Sequence, residues 1–461
     1  MMRSLFSGVS GLKSHQTGMD TIGNNIANVN TVGFKASRTT FADTLSQTLT
    51  GASAPGDTVG GTNPKQIGLG TGVASIDMIF TDGSIQSTGK NTDLCLSGNG
   101  LFVVKNGDQT YYTRDGAFEF DAAGNYVLPG SGLYVQGWTA TDGVLSTNGA
   151  AGNITIPAGK SMAAKATTTA TYANNLNAAA LTIKAMSGGN PAGTASTTNP
   201  VTLTMSDGST VTQTSGVYQV GHSLPVTTTI TVYDTLGNSH NIPVYFTKTK
   251  TDSTNGNEWT VSIANDGTGT SQITESDGTT TTITMTDQTI NFTTDGKYNS
   301  GSGTIALTLS NGSAADQSVL LDVSNLTQYA GNSTVNGSCD GNAAGTLSSV
   351  SVDSSGTITG TYTNGIKQTE AQVAIAQFTN ASGLTKTGNS LYQESNNSGT
   401  ANVKTAADLG CTITPSALEM STTDISNEFS NMIITQRGFQ SNSKIITVSD
   451  EMLETLINMK R

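Results

Sequence analysis

The chain has 461 residues, 35% apolar and only 12% charged, with 53 glycines and a formal net charge of −12. That length suggests about three domains of 100–200 residues, and long Thr/Ser/Asn-rich runs point to polar, turn-rich β-domains rather than a large α/β enzyme. The acidic balance argues against a nucleic-acid partner, because such binding rests on Lys and Arg neutralising phosphates.

The first element is a helix over 1–32. Leu5, Leu12, Met19 and Ile26 fall seven residues apart, and Val9, Ile22 and Val29 fill the same face, the repeat of an apolar helical stripe. Gly8, Gly11, Gly18 and Gly23 interrupt it, each at a cost of up to ~1 kcal/mol relative to alanine. Asn28, Asn30 and Gly33 end it. Residues 33–70 read as an extended or loop-like connecting segment, Gly/Pro/Thr-rich over 50–66,.

Strand alternation begins after that, with Ala74, Ile76, Met78 and Phe80 facing one way. Turn signals such as Asp115-Gly116 and Gly124-Asn125 then recur, so 71–147 is read as the first part of an inner, antiparallel β-domain. Residues 148–329 read as an outer β-domain inserted into it. Their clearest hairpin brings Ile230 and Val232 back against Ile242, Val244 and Phe246 around a turn at Asp234. The inner domain resumes over 330–417, where AQVAIAQF (371–378) is expected as a half-buried strand.

The last element, 418–461, is a second long helix. Ile425, Met432, Phe439, Ile446 and Leu453 again fall seven apart, with a second row at Phe429, Ile433, Ile445, Met452, Leu456, Ile457 and Met459,. Ser421 and Thr422 offer cap oxygens, Asp424 suits the first turn, and Lys460 and Arg461 suit the last,. About 38 residues at 1.5 Å each would span ~57 Å. The charges of residues 1–50 and 418–461 sum to zero, so the middle of the chain carries the whole −12. The expected fold is mainly β with long terminal α-helices. They form a coiled-coil-like pair that encloses nested β-domains.

Catalytic and metal chemistry has little to work with. Cys95, Cys339 and Cys411 are too sparse for a disulfide framework or a zinc cluster, and only His15, His222 and His240 are present,. GLGTG (68–72) precedes a strand where a phosphate loop needs a helix,. No site for a cofactor or metal is expected, and no run of 18 apolar residues offers a membrane span. The N-terminus has no apolar stretch of a cleavable secretory signal, so export would use another route.

Four stretches carry a family resemblance. SGVSGLKSHQTGMDTIGNNIANVNTVGFKASRTTF at the start resembles the bacterial flagellar rod/hook axial family. NPKQIGLGTGVASIDMIFTDGSIQSTGKNTDLCLSGNGLFVV and YYTRDGAFEFDAAGNYVLPGSGLYVQGW are similar to its first β-domain. LEMSTTDISNEFSNMIITQRGFQSNSKIITVSDEMLETLINMKR resembles its C-terminal segment, and the words QRGFQSNSKII and DEMLETL favour the hook branch. The resemblance implies a structural subunit that polymerises with itself into the flexible, curved tube joining rod to filament and transmitting motor torque. It further implies export by the flagellar type III apparatus and contacts with rod, hook-cap and hook–filament junction proteins. The polymer core would then take Leu5, Val9, Leu12, Met19, Ile22, Ile26, Ile425, Phe429, Met432, Ile433, Phe439, Ile446, Leu453 and Leu456. The alternatives are a distal-rod or junction subunit, or a secreted β-rich adhesin.

Overall fold

The structure, a computed structural model, describes residues 2–459 except 58, 253, 255, 267, 275–277 and 279. Lys460 and Arg461, expected at the end of the last helix, lie outside the described residues. The chain divides into two compact units, one of residues 1–160, 348–361 and 367–461, the other of 161–347 and 362–366.

In the first unit, helix α1 (Met2–Ala27) and helix α2 (Ile425–Asn458) are the two ends of the chain. At 34 residues, α2 is about 51 Å long. It starts later than 418 because its cap is Asp424, whose carboxylate accepts from the amides of Ser426 and Asn427 at 2.9 and 3.3 Å,. Thr422 does not cap the helix, since its hydroxyl accepts from the Ala36 amide at 3.0 Å. Residues 417–419 are strand, not helix.

The segment 33–70 is not a loop. Strand β1 (Ser37–Asp43) pairs antiparallel with β4 (Thr71–Met78), and β2 (Ser46–Thr50) pairs with β3 (Lys65–Gly68). A bridge at Ser53 and Thr62 carries the ribbon on. Its Thr and Ser side chains pair across the strands, as at Thr40–Ser75 (2.7 Å) and Ser53–Thr62 (2.7 Å). These β-branched and hydroxyl residues satisfy a two-stranded ladder without a large core.

The sheet of the inner domain runs, in order, Lys367–Val373, Leu133–Thr139, Leu101–Asn106, Gln109–Thr113, Leu391–Gln393 and Thr385–Gly388. Sequence positions more than 250 apart are thus neighbours, as at Tyr112 and Tyr392. Ala371 and Val373–Ala376 are fully buried. The segment is therefore covered on both faces, where alternation suggested one.

The second unit packs two sheets over a core containing Tyr172, Phe246, Trp259 and Phe292. One sheet holds six strands and includes a parallel pair, Thr169–Asn177 with Asp316–Tyr329. The other holds five, beginning with the hairpin Val226–Tyr233/Ser239–Lys250. The hairpin turn is built by Asp234, whose carboxylate takes the amides of Leu236 and Asn238 at 2.9 Å each and the Asn311 side chain at 2.7 Å. Burial alone would push Asp234 up, yet these donors hold it down at about 2,. A small three-stranded module (Ile183–Gly188, Val201–Met205, Thr210–Gln213) has its own core around Leu203 and Tyr218. Nothing in the hydrophobic pattern announced it.

The expected insert of 148–329 therefore shifts at both ends. Ile154 and Ile156 are buried, and Gly152–Asn153 pairs with Leu133–Thr139 of the first unit. Asn336–Cys339, expected in the inner domain, pairs with Thr169–Asn177 of the second. A chain lacking 161–347 is expected to retain cooperative unfolding of the first unit in calorimetry. One lacking 148–329 is expected to lose it, because each buried isoleucine contributes about 1.5–3 kcal/mol.

Candidate assembly interface

The two helices pack on each other, but not by interlocking apolar stripes. The α1 positions pressed deepest are Gly8, Gly11, Ser14, Gly18, Ile22 and Asn25. A β-carbon added at Gly11 would lie 2.7 Å from the Asn442 amide nitrogen, and one at Gly438 would lie 2.6 Å from His15. One at Gly8 would touch Ile446 at 3.4 Å. The glycines that tax helix propensity are those that let the backbones approach, a gain that offsets their cost. Asn25 finishes the seam, donating to Glu428 at 3.0 Å and to the Ser37 carbonyl at 2.8 Å. The other flank of α1 meets the β1/β4 ribbon, where the Ser14 hydroxyl donates to the Thr71 carbonyl at 3.3 Å.

This arrangement sorts the expected interface residues into two groups. Leu5, Leu12, Met19, Ile26, Met432, Ile446 and Leu453 are half-buried and Ile22 is buried, while Phe439 lies at the margin, 37% exposed. Val9, Ile425, Phe429, Ile433 and Leu456 stand exposed. With Ile434, Ile445, Val448, Met452 and Ile457, and Met459 at the C-cap, the latter α2 residues are apolar side chains left exposed along the helix, interspersed with polar ones. The ribbon adds Phe41, Leu45, Leu49, Ile67 and Ile76, all exposed. So many exposed large apolar side chains on one helix and one ribbon make a candidate interaction surface.

Sequence reasoning missed the ionic group at the roots of both helices. Lys35 Nζ lies 2.7 Å from Glu419 Oε1, and Arg114 donates to Glu419 Oε2 at 3.2 Å, all three side chains at most 1% exposed. Glu419 Oε1 also accepts from the Gly83 amide at 2.7 Å. Arg114 donates to the carbonyls of Leu96, at 2.8 Å, and Gly98. Burial, then the charge of Arg114, pushes Lys35 below the usual lysine range. Cys95 lies in the same core, its thiol pushed up to about 11 by burial first and Glu419 second. It is an inert packing residue. Lys35 and Glu419 stand 384 residues apart, and nothing in either neighbourhood flags a pair.

With this geometry in view, the chain matches four family descriptions in register. These are flagella basal body rod protein (5–35), flagellar hook protein FlgE/F/G D1 domain (95–185), flagellar basal body protein FlaE D2 domain (222–342) and flagellar basal body rod FlgEFG protein C-terminal (414–459). It is 37% identical to the flagellar hook protein FlgE of Treponema pallidum and 38% identical to that of Borreliella burgdorferi, each over 100% of both chains. The chain belongs to the flagellar hook protein FlgE family. A flagellar basal-body rod protein FlgG of Bacillus subtilis is 30% identical, again over 100% of both chains. Hook and rod proteins therefore share this layout, and the identity is higher on the hook side.

Proposed function

We propose that the chain is the structural hook subunit and that it self-associates through its terminal helices and the 37–78 ribbon. The observation carrying this is the set of large apolar side chains that α2 leaves exposed, from Ile425 to Ile457. Each such side chain removed from water contributes about 1.5–3 kcal/mol, repeated in every subunit. A neighbouring copy is the partner that suits a homopolymer. Inside the assembly the same residues form the polymer core, and the β-units, which carry the net negative charge, face solvent. The product is the curved, flexible tube between rod and filament through which motor torque passes. Contacts with rod, hook-cap and junction proteins, passage through the flagellar type III export apparatus, and an extracellular position follow from that role. Electron microscopy of the purified protein at rising concentration tests it. Tubes are expected, and a protein that stays monomeric at millimolar concentration and high salt would overturn the reading.

A further inference from the structure

The roots of the two helices are joined to each other and to the inner β-domain by one set of contacts. The Gly33 amide donates to the Glu419 carbonyl at 2.8 Å, and the Thr422 amide donates to the Phe34 carbonyl at 3.2 Å. The Ala36 carbonyl accepts from the Ile79 amide at 2.9 Å, and the Ser84 carbonyl accepts from the Met420 amide at 2.9 Å. Strand β5 (Ile85–Ser87) pairs with β8 (Ala417–Glu419), and β6 (Leu94–Ser97) pairs with β7 (Thr412–Pro415). Among the described residues each is a sheet of two strands, and β6 is tied further to the inner domain by the Leu94 amide, which donates to the Gly116 carbonyl at 3.0 Å. The Glu419 carboxylate lies at the centre, the buried anion that Lys35 and Arg114 share. Asp82, the other carboxylate near Arg114, is 47% exposed and 3.4 Å away.

We propose that 33–36, 82–97 and 412–422 form one cooperative closure unit, locked by Glu419, which anchors both helix roots together or neither. The physical reason is the asymmetry of buried charge. A closed root satisfies two cations with one carboxylate and the carbonyls of Thr81, Leu96 and Gly98, while the Gly83 amide donates to that carboxylate. If 412–422 leaves, Lys35 and Arg114 lose the buried anion between them and keep only the Thr81 carbonyl and the half-exposed Asp82, and the cost of a poorly compensated buried charge drives Lys35 out as well. Departure of the N-terminal segment in turn strips Glu419 of its closest cation and of the Gly33 hydrogen bond, and strips Thr422 of its bonds with Phe34 and Ala36. The fold thus contains an all-or-none coupling between its two ends. A subunit offers a neighbour both helices on a fixed platform, never one. The coupling belongs to the single chain and does not depend on what the chain assembles with.

Hydrogen exchange on the full-length protein, resolved by segment, tests this. In the wild type, amides of 33–36, 85–97 and 412–419 are expected to exchange with one shared opening constant, distinct from the more protected 101–106 and 109–113. In Glu419→Gln all three are expected to exchange roughly 100-fold faster or more, together, as loss of one member of a buried pair implies. Strands 101–106 and 109–113 should keep their protection. Asp424→Ala, which removes the α2 cap and touches none of these contacts, should leave the three segments unchanged. Independent opening constants in the wild type would overturn the proposal. So would acceleration of 412–419 alone in Glu419→Gln. Should that variant lose all protection at once, the pair is ordinary core rather than a lock, and the proposal fails. The wild-type measurement decides even if the variant cannot be purified.

Discussion

Ile433→Asp is expected to abolish polymerisation while leaving the monomer as stable as the wild type. Ile433 is 58% exposed, so an aspartate there keeps its water in the free subunit, and surface changes of this kind fall within about ±0.5 kcal/mol. In a tube whose core excludes water the same carboxylate is buried unpaired. The lost apolar burial and the charge penalty each amount to a few kcal/mol per subunit. A total of even about 4 kcal/mol weakens each association about a thousandfold. Sedimentation should show monomers, thermal unfolding should be unchanged, and cells carrying the variant should lack working flagella. Tubes from Ile433→Asp at the wild-type concentration would show that the α2 face is not the contact. Ile446→Asp is a different experiment. Ile446 is half-buried and lies where a β-carbon on Gly8 would be 3.4 Å away, so its aspartate separates α2 from α1 within one chain. It is expected to lose tubes too, but with loss of helical signal already in the monomer.

The seven-residue rows made both helices legible, since 3.6 residues per turn leaves one pattern that keeps a stripe on one side. They did not reveal which row faces which partner. Ile446 and Ile433 look alike in the sequence, yet one meets α1 and the other meets solvent. That division depends on Gly8, Gly11, Gly18 and Gly438, whose value as close-approach points is visible only once the two ends are side by side. The strand after 71 was legible, but its pairing with 37–43, and that of 46–50 with 65–68, was not, because Gly and Pro in the tip outweighed the Thr/Ser alternation of the strands. The insert boundary was missed because Ile154 and Ile156 sit in a stretch otherwise made of turn residues, and pairing across hundreds of residues leaves no local trace. The buried Lys35–Glu419–Arg114 group was invisible for that last reason. Isolated charges in a sequence read as solvated surface, and only the fold shows that these have lost their water.

That hidden group changes what a C-terminal truncation does. From periodicity alone the helix occupies 418–461, and cutting there should spare the β-domains. The structure places strand β8 and the Glu419 carboxylate just inside that cut. A chain ending at Thr423 is expected to unfold its first unit at the full-length temperature, because the strand, the carboxylate and the Thr422 contacts with Phe34 and Ala36 all remain. A chain ending at Ser416 loses them, leaving Lys35 and Arg114 buried without their anion. Breaking a buried ion pair by removing one partner costs about 3–5 kcal/mol. For a unit of this size each kcal/mol is worth roughly 2–4 °C, so a fall of roughly 6–20 °C is expected, before the lost strand pairing is added. Neither chain should form tubes, since both lack α2. Calorimetry of the two, side by side, separates the parts of the C-terminus. Equal melting would mean that Lys35 and Arg114 find water or another anion when Glu419 is gone. A low melting temperature for both would mean that α2 itself, through its seam with Gly8, Gly11 and Gly18, holds the inner domain together rather than serving the neighbouring subunit.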